Sequence, residues 1–200
     1  MYIPEAFQET RKERLKALIE QFSFGTLVSN HEGRPCANHL PFMYDAEAGL
    51  LLAHMARANP QWQSLTTGQQ TLVIFQGPHA YVSPAWHRSS GVPTWNYAVV
   101  HVYGKARLIE EPNQLAVLVR RLTAVHEAGQ AEPQQVDFPE ARMKSLLSQI
   151  IGIEIDIAEI QGKFKLSQNR STEDQAEVMR QLRVGGACCG ASLADLMETI

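Results

Sequence analysis

LVIFQGPHAYVSPAWHRSSGVPTWNYAVVHVYG, from Leu72 to Gly104, is the stretch that decides the fold. Leu72–Phe75 is a β-rich apolar run, and Gln76-Gly77-Pro78 reads as its end. Ala80–Val82 is a short strand stopped by Ser83-Pro84. The segment 86–94 is an irregular loop carrying Arg88, Ser89, Ser90, Gly91 and Pro93. A long strand over Asn96–Ile109 follows, with Val100, Val102, Ala106 and Leu108 on one parity. Polar groups and aromatics in a loop between apolar strands suit a site built on a rigid scaffold; they equally suit a turned hairpin with aromatic core residues.

Outward from that stretch, the pattern is mostly strand. Glu9–Phe22 reads as a helix, with Leu15, Leu18, Ile19 and Phe22 on one stripe. Its basic cluster Arg11, Lys12, Arg14 and Lys16 is interleaved with Glu9, Glu13 and Glu20, which is the mark of a solvated face. Gly25–Ser29 is a short strand, Asn30–Gly33 its turn, and Arg34–Tyr44 the returning strand. Pro41 lacks a ladder donor and marks an edge or a bulge. Asp45–Gly49 turns into a strand over Leu50–His54. Asn59-Pro60 then reads as a helix cap followed by proline at the first helical position. Arg57, His54 and the start of that helix make a candidate phosphate seat, because guanidinium pairs phosphate bidentately and helix starts present unpaired N–H groups. Beyond Ile109, a helix runs from Pro112 to about Ala128 with Leu115, Leu118, Val119, Leu122 and Val125 as its stripe. A polar linker, a short helix over Pro139–Gln149, and a strand through Ile153, Ile155 and Ile157 that continues past Ile160 come next. The last helix starts at the capping box Ser171-Thr172-Glu173-Asp174 and ends at Gly185-Gly186. The sum is six or seven mainly antiparallel strands with three or four outer helices, a mainly β (α+β) barrel.

Composition narrows the function. The 200 residues carry a net charge of −3, so DNA binding is supported by neither charge nor motif: there is no helix-turn-helix pattern, zinc module or basic excess. No apolar run approaches the length of a membrane span, and MYIPEAFQETRKER is not a secretory signal. Cys36, Cys188 and Cys189 have no metal spacing and read as reduced thiols, which points to a cytoplasmic protein without a metal site.

Several stretches resemble one family. MYIPEAF at the start, NHLPF at 38–42, HMARANPQW at 54–62, IFQGPHAYVSPAWH at 74–87, VPTWNYAVVHVYG at 92–104 and GKFKLSQNR at 162–170 are similar to the PaiB family of FMN-binding negative transcriptional regulators. The resemblance spans residues 1–183 as one domain and leaves 184–200 as a C-terminal tail. It implies an antiparallel split β-barrel of the FMN-binding type, a homodimer with FMN at the subunit interface. Carried onto this chain, it places Asn38, His39, Leu40 and Pro41 along the ring, His54, Arg57 and Asn59 at the phosphate, and Trp95 and Asn96 of the partner chain over the site. Lys163, Gln168 and Asn169 match family positions without an assigned role. Two further readings stand beside the regulator. One is an FMN-dependent oxidoreductase related to pyridoxamine-phosphate oxidase, with His39, His87 and Arg88 as polar groups above the ring. The other is a barrel whose site has lapsed, with Trp86, Trp95 and Tyr97 as core.

Overall fold

The computed structural model describes residues 1–88, 91–185 and 188–199; Ser89, Ser90 and Gly186, singled out above, lie outside them. Eight strands form one sheet in the order β3-β2-β6-β7-β8-β5-β4, with the two-residue β1 (Gln8–Glu9) on β8. The others are β2 (Phe24–His31), β3 (Arg34–Pro41), β4 (Met43–Asp45), β5 (Leu50–Ala56), β6 (Gln70–Val82), β7 (Thr94–Ile109) and β8 (Ile150–Lys165). The helices are α1 (Lys12–Gln21), α2 (Gln61–Leu65), α3 (Pro112–Glu127), α4 (Glu140–Leu147), α5 (Thr172–Val184) and α6 (Gly190–Met197). The chain divides into two compact units. The first holds Met1–Leu18, Gln76–Val100 and Gln161–Ile200, the second Ile19–Phe75 and His101–Ile160.

The second unit is a barrel for a covalent reason. Its terminal strands β3 and β4 lie at opposite ends of the strand order, yet only Phe42 separates them in the chain. A sheet whose two ends are one residue apart must curl on itself. Phe42 is buried and meets Phe75 edge to face with ring centroids 5.6 Å apart. Leu27, Leu51, Phe75, Ile151, Ile153 and Ile155 fill the interior. On β5, Leu51, Leu52 and Ala53 are buried in succession. That happens because α3 covers the outer face: Met43 and Leu52 pack with Leu118 and Leu122, flanked by Ile109. Gly104 is required on β7, since a Cβ there would lie 2.4 Å from the Asp156 carbonyl oxygen.

In the first unit, β1 lies along β8 with Gln8 opposite Lys163 and Glu9 opposite Gly162. Ser171 caps α5 by accepting from the Asp174 N–H. Leu193, Ala194 and Met197 of α6 are buried, so part of the 184–200 tail is a packed helix.

Three expectations are corrected. The run 34–44 is two strands, because β3 pairs with β2 and β4 with β5, and the chain changes partner at Phe42. The segment 70–82 is one strand, unbroken at Gly77-Pro78. Strand β2 meets β6 only at Leu72–Ile74, so beyond it Pro78 has no β2 carbonyl to leave unpaired. Gly77 permits close approach there, with its Cβ position 3.0 Å from Leu18 Cδ1. Val125 is exposed, and the buried stripe of α3 is Leu115, Leu118 and Leu122.

Candidate functional site

Among the described residues, strand β3 has a ladder partner on one side only, and α2 stands over its inward face. The residue that joins them is Gln61, which is 2% exposed. Its Nε2 donates to the Leu27 carbonyl at 3.1 Å, to Ser29 Oγ at 3.1 Å and to the Cys36 carbonyl at 3.2 Å. Two carbonyls can only accept, so these contacts fix which end of the amide is nitrogen. Oε1 therefore faces Asn38 and accepts from Asn38 Nδ2 at 2.7 Å. The Gln61 N–H donates to Asn59 Oδ1 at 3.0 Å, which makes Asn59 the cap that its Asn-Pro pair implies. One buried amide thus ties Asn38 on β3 to Asn59 before α2.

Arg57 stands where β5 ends. Its N–H donates to the Gln149 carbonyl at 2.8 Å, and its carbonyl accepts from Trp62 Nε1 at 3.0 Å. Its guanidinium pairs with Glu110 at 3.0 Å, with both side chains substantially exposed. Helix α2 is only five residues long, so Arg57 rather than a helix dipole supplies the positive charge at this end of the barrel.

The other residues of the expected ring and phosphate set are arranged differently. Asn38 and Leu40 face the interior opposite Leu27 and Gly25; His39 and Pro41 face outward opposite Thr26 and Phe24. His39 stacks on Phe24 with centroids 6.1 Å apart, and Phe24 is 67% exposed. The four residues share the strand's edge, not one side-chain face. His54 shares the parity of Leu52 on the outer side of β5. Its Nδ1 is buried without a hydrogen-bond partner, and burial holds the imidazole below its ordinary 6.5. His54 is accordingly neutral at pH 7, and among the described residues no hydrogen bond or ion pair joins it to Arg57 or Asn59.

In the first unit, Trp95 and Asn96 point to opposite faces of β7. Trp95 is 54% exposed, with Tyr81 edge-on at 6.2 Å and His79 at 6.3 Å. His79, Trp95 and Tyr97 line an apolar groove of about 390 Å³. Lys165 bonds Thr94 Oγ1 and the Trp95 carbonyl, which anchors the backbone under that ring. Burial, with Lys163 and Arg170 nearby, pulls the Lys165 ammonium below its ordinary range. Asn96 is buried and donates to Ser167 Oγ at 2.8 Å, so its side chain is occupied within its own subunit.

His87 is drawn away from open solvent, while Arg88 stays exposed with its backbone tied down. The His87 ring is 1% exposed, with Nδ1 3.8 Å from the buried Asp174 carboxylate, and the Arg88 N–H donates to Asp174 at 2.7 Å. Lys163 donates to the Tyr2 carbonyl at 3.1 Å and lies over the rings of Tyr2 and Tyr97. Gln168 folds back on its own turn, accepting from the Leu166 N–H and donating to the Phe164 carbonyl. Sequence reasoning missed Gln61. The available signal was a polar residue immediately after Asn59-Pro60 within a matching motif.

Residues 1–159 match the family model described as a "putative FMN-binding domain". The chain is 37% identical over 201 residues to the protease synthase and sporulation protein PAI 2 of Bacillus subtilis, covering 99% of this chain and 97% of that protein. It is 30% identical to an uncharacterized protein of Emericella nidulans, over 99% of this chain and 96% of the other. Among solved structures, the FAD and heme binding protein from Mycobacterium smegmatis superposes with a TM-score of 0.66 at 19% identity, covering 84% of this chain and 78% of that one. The flavocytochrome Anf3 from Azotobacter vinelandii gives 0.65 at 18% identity, over 85% and 75%. At these identities the likeness is one of fold, and the fold is the split barrel.

Proposed function

The chain belongs to the FMN-binding domain family, and on that premise we propose that it is an FMN-binding negative transcriptional regulator, a homodimer with flavin at the subunit interface. The observation that carries this reading is the half-exposed Arg57 guanidinium two residues before Asn59, the cap that Gln61 ties to Asn38 on β3. These residues fit a flavin phosphate ester: a fixed guanidinium for the phosphate, an oriented amide and a strand edge for the polar rim of a ring. Arg57 binds the phosphate, with Asn59 holding the turn beside it. The strand edge of β3 from Asn38 through His39 and Leu40 to Pro41 lies along the ring, and His54, with its Nδ1 buried on the outer side of β5, is left out of the phosphate set. Trp95 of a second subunit covers the ring and excludes water, while Asn96 fixes the strand that carries Trp95. The exposed Tyr81 and Trp95 support a face covered by a second copy. FMN, when bound, supplies one- and two-electron redox chemistry.

The regulator is favoured over an enzyme because His87, the candidate proton carrier of the central loop, is buried against Asp174. With a net charge of −3, regulation runs through flavin-dependent contacts of the dimer and not through a broadly basic surface. One feature favours the oxidoreductase reading: His39 is exposed on β3 and accessible to a substrate.

The test is the visible spectrum of the purified protein before and after FMN loading and removal of the excess. Flavin retained at one per subunit is expected. Arg57→Ala should weaken binding by about 1.5–3 kcal/mol, the contribution of a charged hydrogen bond; an unchanged affinity would remove the phosphate assignment. Steady oxidation of a nicotinamide cofactor by the loaded protein would replace the regulator with the oxidoreductase.

A further inference from the structure

This inference rests on the phosphate seat at Arg57. The backbone of Arg57 is held on both sides, by the Gln149 carbonyl and by Trp62 Nε1. Its side chain is held by an acid: Nη1 lies 3.0 Å from Glu110 Oε2. Glu110 follows the last residue of β7, and its side chain is 57% exposed. The neighbouring Glu111 is committed elsewhere, capping α3 through the Gln114 N–H at 2.9 Å. Glu110 therefore places a carboxylate on the guanidinium that a phosphate would use. Carboxylate and phosphate bind the same N–H fork, and an anion left beside a bound dianion repels it.

We propose that Glu110 is a built-in competitor for the phosphate seat, a specificity residue that sets by charge how tightly the site holds a flavin monophosphate relative to a flavin without phosphate. In the free protein it occupies the guanidinium. On binding, the phosphate must displace it or share Arg57 with it. Riboflavin, which carries no phosphate, is indifferent to it.

Glu110→Gln tests this with little steric change, because glutamine keeps an oxygen to accept from Arg57 and loses only the charge. FMN and riboflavin are titrated into wild type and variant by flavin fluorescence, at about 0.02 M and about 0.5 M salt. The variant is expected to bind FMN about three- to tenfold tighter at low salt, with the gain fading at high salt and riboflavin unchanged. FMN affinity that is unchanged or lower in Glu110→Gln overturns the competitor role, as does an equal gain for both flavins. Arg57→Ala separates the two ideas. If it leaves FMN affinity unchanged, the phosphate seat fails and the competitor with it; if it weakens FMN while Glu110→Gln changes nothing, only the competitor fails.

Discussion

Replacing Gln61 with leucine removes a buried side chain that ties α2 to both β2 and β3. Leucine is close in volume, so the change deletes polar bonds without a large cavity. Three acceptors share the two hydrogens of Nε2, and Oε1 takes one further bond from Asn38. About three net hydrogen bonds are lost, each contributing about 1 kcal/mol. Two partners recover part of this. Ser29 Oγ keeps Ser64 Oγ at 2.7 Å, and the half-buried Asn38 amide can reach water. Burial of the leucine side chain returns roughly 1 kcal/mol more. The expected loss is about 2 kcal/mol, which in a domain of this size lowers Tm by about 4–8 °C. Urea unfolding followed by circular dichroism should show a lower midpoint with an unchanged slope. Asn38→Ala, which removes one bond of the same set, should cost about 1 kcal/mol. A Gln61→Leu protein with a wild-type midpoint would refute the claim that this amide braces the barrel end.

Gly104→Ala forces a methyl to within 2.4 Å of the Asp156 carbonyl oxygen and 2.6 Å of Ile155 Cγ2; a loss of about 3 kcal/mol or more is expected from the displaced strand, read as a fall in thermal midpoint or in soluble yield. Burial holds His54 and His101 below their ordinary 6.5, so below that pH the unfolded chain binds more protons than the folded one. Their contribution is complete above the unfolded value and is lost as pH falls through the folded values; urea midpoints should drop between about pH 7.5 and pH 5, less steeply in His54→Asn, and a flat wild-type profile would contradict the assignment. Trp95→Glu puts a charge on the exposed apolar face of β7 and should convert the proposed dimer to monomer in sedimentation while the circular dichroism spectrum stays the same.

The elements that could be read from sequence are those in which one local rule suffices. The stripe Leu115, Leu118, Leu122 dictates α3, Ser171 dictates the start of α5, and the alternation at Ile153, Ile155 and Ile157 marks β8, of which Ile153 and Ile155 are buried. The partner exchange at Phe42 has one local sign, Pro41, which marks an edge or a bulge without saying that the chain changes partner there. Only the closing of the barrel gives β3 and β4 different neighbours. Pro78 misleads for a related reason. A proline breaks a strand only where its missing N–H faces a neighbour, and whether β2 reaches that far is a property of the sheet.

The candidate site divides along the same line. Asn59 is legible as a cap because capping acts through the residue's own chemistry, and its side chain accepts from the Gln61 N–H. The setting of Asn38 is not, because what it presents depends on Gln61, whose own orientation is dictated by the Leu27 and Cys36 carbonyls. Trp95 and Asn96 show the limit most plainly. Adjacent strand residues point to opposite faces, so they cannot both reach across an interface with their side chains. Asn96 is buried against Ser167 and Trp95 is exposed, so in the proposed dimer only Trp95 is free to make the outward contact. A conservative change at Asn96 should therefore act first on stability, and a change at Trp95 first on association, and that ordering separates a residue that positions from one that touches.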